Sequence, residues 1–339
     1  MQIDHVYTWV NPDDHALIKL RAEYAKTHVT DEAEYVAGPA RTRDNGELRL
    51  SLRTAEKFMP FIRNTYIVGN GDAPDWILEL GPRVIYVKQS DIIPERYYPF
   101  FHSDAIESFI YKIPGLSNRY IYSNDDFFFA RLHQPSDLFD NQGRALVSLA
   151  HWPMAIGNQS IYRASEENTL RALGKQMQLP AFFSTLPSIF RDKNLRAHRR
   201  SLIEWLSLVN RNLPRVNVIG HVSQPYLKSE WDAFHDTFRD ELETLFTNRF
   251  RSDQSISVNM MYMYFLNSIG KARLHFTDSD RLLNRYHSKN KRDRLRQDIL
   301  TPGSHIRRFC LNDTPVPAED GWQDYVNRLV LDLIAKPPE

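Results

Sequence analysis

Three short runs of β-branched and aromatic residues each end in a cluster of Asn, Asp and Gly: "IDHVYTWVNPDD" (3–14), "NTYIVGNGD" (64–72) and "RYIYSNDD" (119–126). Runs of this kind, bounded by turn residues, read as strands. Between the first two lies "ELRLSLRTAEKF" (47–58), where Leu48, Leu52 and Ala55 recur at helical spacing. "RVIYVKQ" (83–89) adds a strand, and 102–113 predicts a helix opening near His102 and Ser103. Strand and helix alternating at this spacing predict an α/β domain with a largely parallel sheet. Such a sheet confines chemistry to the loops converging at its carboxyl edge. A fourth polar cluster, "LND" (311–313), closes the strand-like "RRFCLND" and belongs to the same set.

The remaining pattern is less regular. Residues 14–28 are helical in composition, and 29–45 read as an irregular loop around "RTRDNGE". "LVSLAHW" (146–152) fits a strand, and 166–176, 194–210, 226–248, 254–268 and 321–335 fit helices. With 42% apolar and 25% charged residues, 339 residues can bury a real core. A net charge of +1 selects neither for nor against a polyanionic partner, and the chain has no nucleic-acid-binding motif, so no nucleic acid is expected. The single cysteine, Cys310, excludes an internal disulfide framework and fits a reducing compartment. Met1 leads into the first strand without a basic and then apolar leader, and no window reaches about 18 uninterrupted apolar residues. A cytoplasmic location is expected, and attachment at a membrane surface is compatible with it.

Asp125 and Asp126 sit where a buried charge needs a partner. Two adjacent carboxylates leaving an apolar strand suit a divalent metal that holds a nucleotide diphosphate, since Mg²⁺ takes hard oxygen ligands and substrate phosphates. They suit an Asp–Asp turn or helix cap equally well. "GNG" (69–71) fits a phosphate-approaching turn or a plain turn, and His221, after "VNVIG", fits a structural or a functional histidine. Arg251 in "NRFRSDQS" precedes a helix and reads as a surface arginine on residue chemistry alone. "RLLNRYHSKNKRDRLR" (281–296) is dense in Lys and Arg; it fits a solvated basic helix or a surface for an anionic polymer or lipid.

Longer stretches resemble one family. "IDHVYTWVN" is similar to the first block of the Stealth proteins, usually "IDVVYTWVNG". Residues 41–77 and 102–129 resemble the opening and end of their second block. Residues 220–265 resemble the third, and "FCLND" (309–313) the fourth. His5 stands in place of the usual valine, Pro12 of the usual glycine, and Ser123 of the usual residue before "NDD". Starting at the first block without large insertions, the chain fits a minimal bacterial catalytic unit.

The resemblance implies a Rossmann-like, GT-A-like nucleotide-sugar transferase core with a mostly parallel sheet and an added helical region. One catalytic domain is expected over 1–339: a nucleotide-sugar-binding α/β part at 1–133, a variable, mainly helical insertion at 134–220, and a catalytic part with the C-terminal helix at 221–339. It also implies a hexose-1-phosphate transferase using a nucleotide sugar, with a UDP-N-acetylhexosamine as the leading donor, and a divalent metal, Mg²⁺ or Mn²⁺. The acceptor would be an oligosaccharide or polysaccharide, with capsule-assembly machinery at the inner membrane as a partner. The family's functional positions fall on Asp125, Asp126, His221, Arg251 and Asp313. The metal is expected on Asp126 and Asp313, with Asp125 beside them, Arg251 on the transferred phosphate, and His221 as general base or phosphate stabiliser. Trp9, Asn11, Asn45, Arg49, Asn70, Gly71 and Asn312 are the expected substrate contacts. The competing readings are a metal-dependent glycosyltransferase that releases a nucleoside diphosphate, and a carbohydrate-binding protein without turnover.

Overall fold

Strand β1 (Ile3–Thr8) lies inside a five-stranded sheet ordered β3-β2-β1-β4-β8. Ile3, Val6 and Tyr7 are fully buried, so the strand is apolar on both faces, as parallel strands covered on both sides are. β2 (Thr65–Gly69), β3 (Val84–Lys88) and β4 (Arg119–Asn124) run parallel with it. Only β8 (Gln224–Leu227) is antiparallel, against β4. The expected α/β class with a mostly parallel sheet is the observed one. The structure is a computed structural model that describes residues 1–28, 36–38, 41–154, 160–177, 216–285, 287–313 and 321–337. The expected helix at 194–210 lies outside the described residues.

A second sheet joins β5 (Phe127–Phe129), β11 (Arg308–Asn312) and β10 (Asp280–Asn284), and a third joins β7 (Asn217–Ile219), β6 (Ala145–Pro153) and β9 (Ala272–Phe276). The longer helices are α1 (His15–His28), α2 (Glu47–Phe58), α6 (Ile161–Gln176), α9 (Val258–Ser268), α10 (Lys289–Leu300) and α11 (Trp322–Ala335). Shorter ones are α3 (Asp75–Leu78), α4 (Gln89–Ile92), α5 (Ser103–Glu107), α7 (Trp231–Thr237) and α8 (Arg239–Thr247). No helix among the described residues is long and apolar enough to cross a membrane.

Two expected helices are broken, each for a local reason. The one at 102–113 ends as α5 at Glu107, followed by a 3₁₀ turn at Ile110–Lys112. Pro114 disfavours helical backbone at Ile113, and Gly115 then turns with φ +76°. The segment 226–248 begins instead in β8, where Tyr226 and Leu227 pair with Tyr120 and Arg119. Its helical remainder splits into α7 and α8 at Phe238, whose φ of −114° and ψ of 33° interrupt the helix.

Helix α2 shows how the polar positions of an amphipathic helix can be structural. Ser51 donates a short hydrogen bond to the Phe127 carbonyl, and Thr54 Oγ1 accepts from Phe129 N at 3.3 Å. Both serve the backbone of the three-residue strand β5. Phe127, Phe128 and Phe129 are all buried, and each contributes about 1.5–3 kcal/mol by leaving water. Lys57, in the last turn of α2, donates to the Leu333 and Ile334 carbonyls at 3.1 and 2.6 Å, capping the carboxyl end of α11.

Two of the family departures are linked. Ser123 on β4 is opposite Tyr7, and His5 on β1 reaches it diagonally, with His5 Nε2 2.7 Å from Ser123 Oγ, which lies 2.6 Å from Ser223 Oγ. Burial lowers the His5 pKa to about 3, so the ring is neutral and the network replaces an apolar contact with hydrogen bonds.

Candidate active site

Strand β4 ends in the first sheet at Asn124, and β5 begins in the second at Phe127. Asp125 and Asp126 are therefore the hinge between two sheets. β5 pairs antiparallel with β11, Phe127 opposite Cys310, and the pairing continues with Leu311 N donating to the Asp126 carbonyl at 3.0 Å. This register carries Asn312 and Asp313 alongside the aspartate pair. Cys310 Sγ donates to Asp126 Oδ2 at 3.4 Å. Burial raises the Asp126 pKa to about 6, with the charge of Asp313 adding to it. Asp125 is pushed well above the usual carboxylate range by burial, then by Asp126, Glu47 and Asp44. Burial pushes Glu47, at the start of α2, up to about 7, with Asp44 contributing. The hinge thus collects more negative charge than the protein alone stabilises.

Asp4 provides the contrast. It is fully buried at the amino edge of the same sheet and accepts from Arg63 Nε at 2.9 Å, Asn64 N at 3.2 Å and Ser117 N at 2.7 Å. Asp126 Oδ1 is buried and has no hydrogen-bond partner among the described residues. A saturated carboxylate is structural; an orphaned one at the carboxyl edge is poised for a ligand.

Asp313 is held on both oxygens. Arg43 Nη1 donates to Oδ2 and Arg285 Nη1 to Oδ1, each at 3.0 Å, and Asn45 Nδ2 approaches Oδ2 at 3.4 Å. Asn45 also donates from Nδ2 to Glu47 Oε1 at 2.6 Å. Asn312 Nδ2 donates to Asn284 Oδ1 at 2.7 Å, tying β11 to β10. Arg285 is where the basic run departs most from its surface reading, because its side chain is only 2% exposed. Elsewhere in that run Arg296 pairs with Asp332 and Arg292 lies over the Trp322 ring, while Lys289 and Arg294 are exposed. Tyr286 lies outside the described residues.

His221 and Arg251 come from two further segments. His221 follows Gly220 at the end of β7, and its ring meets Phe127 edge-on at 5.1 Å. The side chain reaches solvent, yet desolvation by the surrounding protein, and then the charge of Arg251, lower its pKa below 6.5. Arg251 donates from Nη2 to Ser103 Oγ at 3.0 Å and from Nε to Asp104 Oδ2 at 3.4 Å, both on α5. Its loop is fixed from behind by Asn168 of α6, whose amide donates to the Asp253 and Ser255 carbonyls at 2.7 and 3.0 Å. Glu107, also on α5, is buried and is raised to about 8 by burial and then by Asp104. The Tyr122 hydroxyl lies 2.8 Å from Thr8 Oγ1 and donates to Asn124 Oδ1 at 2.8 Å. These contacts lead from Phe127 at the hinge through His221 and Arg251 to α5. The structure brings Asp125, Asp126, His221, Arg251 and Asp313 together.

The other expected contacts gather at the ends of β1 and β2. Asn70 is buried; its Oδ1 accepts from Asn11 N at 3.4 Å, its Nδ2 donates to Asp14 Oδ2 at 2.8 Å, and its carbonyl accepts from the Tyr86 hydroxyl at 2.6 Å. Gly71 adopts φ +59°, and a Cβ there would lie 2.6 Å from Asp14 Oδ2, so this turn requires glycine. Trp9 donates from Nε1 to Asp44 Oδ2 at 3.1 Å and packs edge-on against Trp76 at 5.7 Å. The Arg49 guanidinium stacks over Trp76 at 4.2 Å.

Sequence reasoning missed Arg43, Asp104, Glu107 and Arg285. Glu107 had a usable signal: it is a lone carboxylate between Ile106 and Phe109 on a short apolar segment. Arg285 was concealed by the other basic residues of its run.

Among the described residues, no group of three His, Cys, Asp or Glu side chains forms a ready metal cage. The site nonetheless fits a divalent cation that takes the rest of its shell from substrate. Its donors are carboxylate oxygens, one of them is orphaned, and burial, then neighbouring carboxylates, raise the pKa values of Asp125 and Asp126.

Fold and site define an α/β protein that gathers acidic residues suited to a hard cation, with a histidine and an arginine, at the carboxyl edge of a parallel sheet. Residues 41–147 match Stealth protein CR2, conserved region 2. The chain is 28% identical over 264 residues to a capsular polysaccharide phosphotransferase of Neisseria meningitidis serogroup B, covering 76% of this chain and 61% of that one. It is 27% identical to a capsular polysaccharide phosphotransferase of Haemophilus influenzae, covering 92% and 78%, and 30% identical to an exopolysaccharide phosphotransferase of Streptomyces coelicolor, covering 92% and 46%. The chain therefore spans less than two thirds of the Neisseria and Streptomyces relatives. Among solved structures, it aligns with the galactosyltransferase LgtC bound to donor and acceptor sugar analogues at 10% identity and a TM-score of 0.41, covering 99% of this chain and 98% of that one. The matched region and these phosphotransferase relatives together support a place in the Stealth family.

Proposed function

We propose that the chain is a sugar-phosphate transferase of bacterial surface-polysaccharide synthesis, moving a hexose 1-phosphate from a nucleotide sugar to a glycan hydroxyl. The observation that carries this reading is an orphaned, charge-crowded Asp126 next to Phe127, whose ring meets His221, itself within the field of Arg251. The relatives' names, capsular and exopolysaccharide phosphotransferase, support the same reaction class. Within it, the donor is a UDP-N-acetylhexosamine and the enzyme works at the cytoplasmic side of the membrane.

Phosphoryl transfer asks the protein mainly for positioning and charge neutralisation. A divalent cation, Mg²⁺ or Mn²⁺, held by Asp126 and Asp313 beside Asp125, would supply charge neutralisation at the donor phosphate oxygens. Arg251, oriented by Ser103 and Asp104, presents a planar guanidinium to the transferred phosphate, a match that lysine does not reproduce. His221 is neutral at pH 7 because its pKa is lowered, so a ring nitrogen is ready to take the proton of the acceptor hydroxyl. The acceptor oxygen then forms a bond to the sugar-proximal phosphorus, the pyrophosphate bridge breaks, and nucleoside monophosphate leaves. Glu107, whose raised pKa keeps it protonated near neutral pH, lends no extra negative charge beside Arg251. The test is the released nucleotide when the protein is incubated with a panel of nucleotide sugars and an oligosaccharide primer. Monophosphate supports the proposal, and diphosphate assigns the chain to glycosyl transfer instead.

A further inference from the structure

Arg43 and Arg285 come from distant segments, one just before α2 and one just after β10, and both grip the carboxylate of Asp313 at 3.0 Å. A guanidinium as buried as Arg285 must have an anion beside it. Yet the neighbourhood already holds Asp44, Glu47, Asp125 and Asp126, and the arginines meet at the one carboxylate that the cation is also expected to use. A carboxylate with each oxygen committed to an arginine has few lone pairs left for a metal. The conflict resolves if the pairing is exchanged when substrate arrives.

We propose that Arg43 and Arg285 are the seat of the donor diphosphate, and that Asp313 occupies them as a stand-in anion until the diphosphate displaces it. The proposal rests on the nucleotide-sugar reading of the site. Charge balance favours it: a donor diphosphate and a divalent cation carry equal and opposite charge, so entering together they leave the net charge of the site unchanged. The diphosphate takes over the two guanidinium forks, which match phosphate oxygens bidentately, and Asp313 turns to the cation. Arg43 and Arg285 are then binding residues for the donor, and Asp313 competes with the donor's phosphates whenever the cation is absent.

That competition gives the test a sign reversal. Pyrophosphate binding is measured by titration calorimetry at fixed ionic strength, in chelator and again with Mg²⁺. In chelator, Asp313→Asn binds pyrophosphate about tenfold tighter than the parent, because the stand-in anion is gone, and Arg43→Lys binds it about tenfold more weakly. With Mg²⁺, Asp313→Asn becomes the weaker binder. Unchanged or weakened binding by Asp313→Asn in chelator overturns the exchange, as does an unchanged affinity in Arg43→Lys. Thermal melting shows whether Asp313→Asn is folded; if it is not, Arg43→Lys and Arg43→Gln decide the question at a side chain that is 28% exposed. Release of nucleoside monophosphate together with arginine-insensitive pyrophosphate binding would sink this inference alone. Arginine-dependent binding with release of diphosphate would sink the phosphotransfer reading alone.

Discussion

Replacing Asp126 by asparagine should make the metal-free protein more stable while removing its activity. The Asp126 carboxyl titrates at about 6 in the fold instead of the ordinary 3.8, chiefly because it is buried. A raised acid pKa means that the folded state holds the proton more tightly than the unfolded chain. The penalty on the charged form is absent below pH 3.8, grows as pH rises towards 6, and is fully present above it. At about 1.4 kcal/mol per pH unit the ceiling is about 3 kcal/mol, and relaxation and partial solvation roughly halve this to about 1–2 kcal/mol. Asparagine is isosteric and keeps an oxygen for the Cys310 thiol, so it removes the charge with little change in packing. The assay is thermal unfolding in chelator at pH 7.5 and at pH 4. The variant should melt about 2–4 °C higher at pH 7.5, and the gap should shrink towards zero at pH 4. A variant less stable than the parent at pH 7.5, or a gap that persists at pH 4, would refute the reasoning that this carboxylate is held at the expense of stability.

Other outcomes follow from the same geometry. Mg²⁺ or Mn²⁺ should raise the melting temperature of the parent and leave Asp126→Asn nearly unmoved; equal shifts in both would place the cation elsewhere. His221→Ala should lose about 10²–10⁴-fold in turnover, and the parent's kcat/KM should fall with decreasing pH on a limb below pH 6.5 that the variant lacks. Asp104→Asn loosens the grip on Arg251 without touching the phosphate, so kcat should fall about tenfold while donor affinity by calorimetry holds; a loss confined to donor affinity would contradict this positioning role. A double-mutant cycle of His5→Val and Ser123→Ala should give a coupling of about 1 kcal/mol in chemical unfolding, and additive effects would show that the buried hydrogen bond contributes nothing net.

Much of this architecture is legible in the sequence because its signals are local. The strands ending at Thr8, Gly69 and Asn124 announce themselves by apolar runs cut off at polar turns, and α2 matches its helical spacing from Glu47 to Phe58. What the sequence hides is long-range. Tyr226 and Leu227 look helical until β4 recruits them as an antiparallel edge, a tertiary preference that overrides local propensity. The site divides in the same way. Asp125 and Asp126 stand out because two adjacent charges in an aromatic run are costly, and Asp313 follows its own strand. Arg43 and Arg285 carry no such mark, since an arginine's worth depends on the carboxylate opposite it, here 270 and 28 residues away. Asp104 was overlooked because an acidic residue in the first turn of a helix usually serves its dipole.

The central claim is that phosphate travels with the sugar. It is tested most directly with a nucleotide sugar labelled with radioactive phosphorus in the sugar-proximal phosphate, offered together with a glycan acceptor. The account predicts that the label enters the glycan as a phosphodiester while unlabelled nucleoside monophosphate is released. Label found in released nucleoside diphosphate, with an unlabelled glycan extended by one sugar, would contradict it.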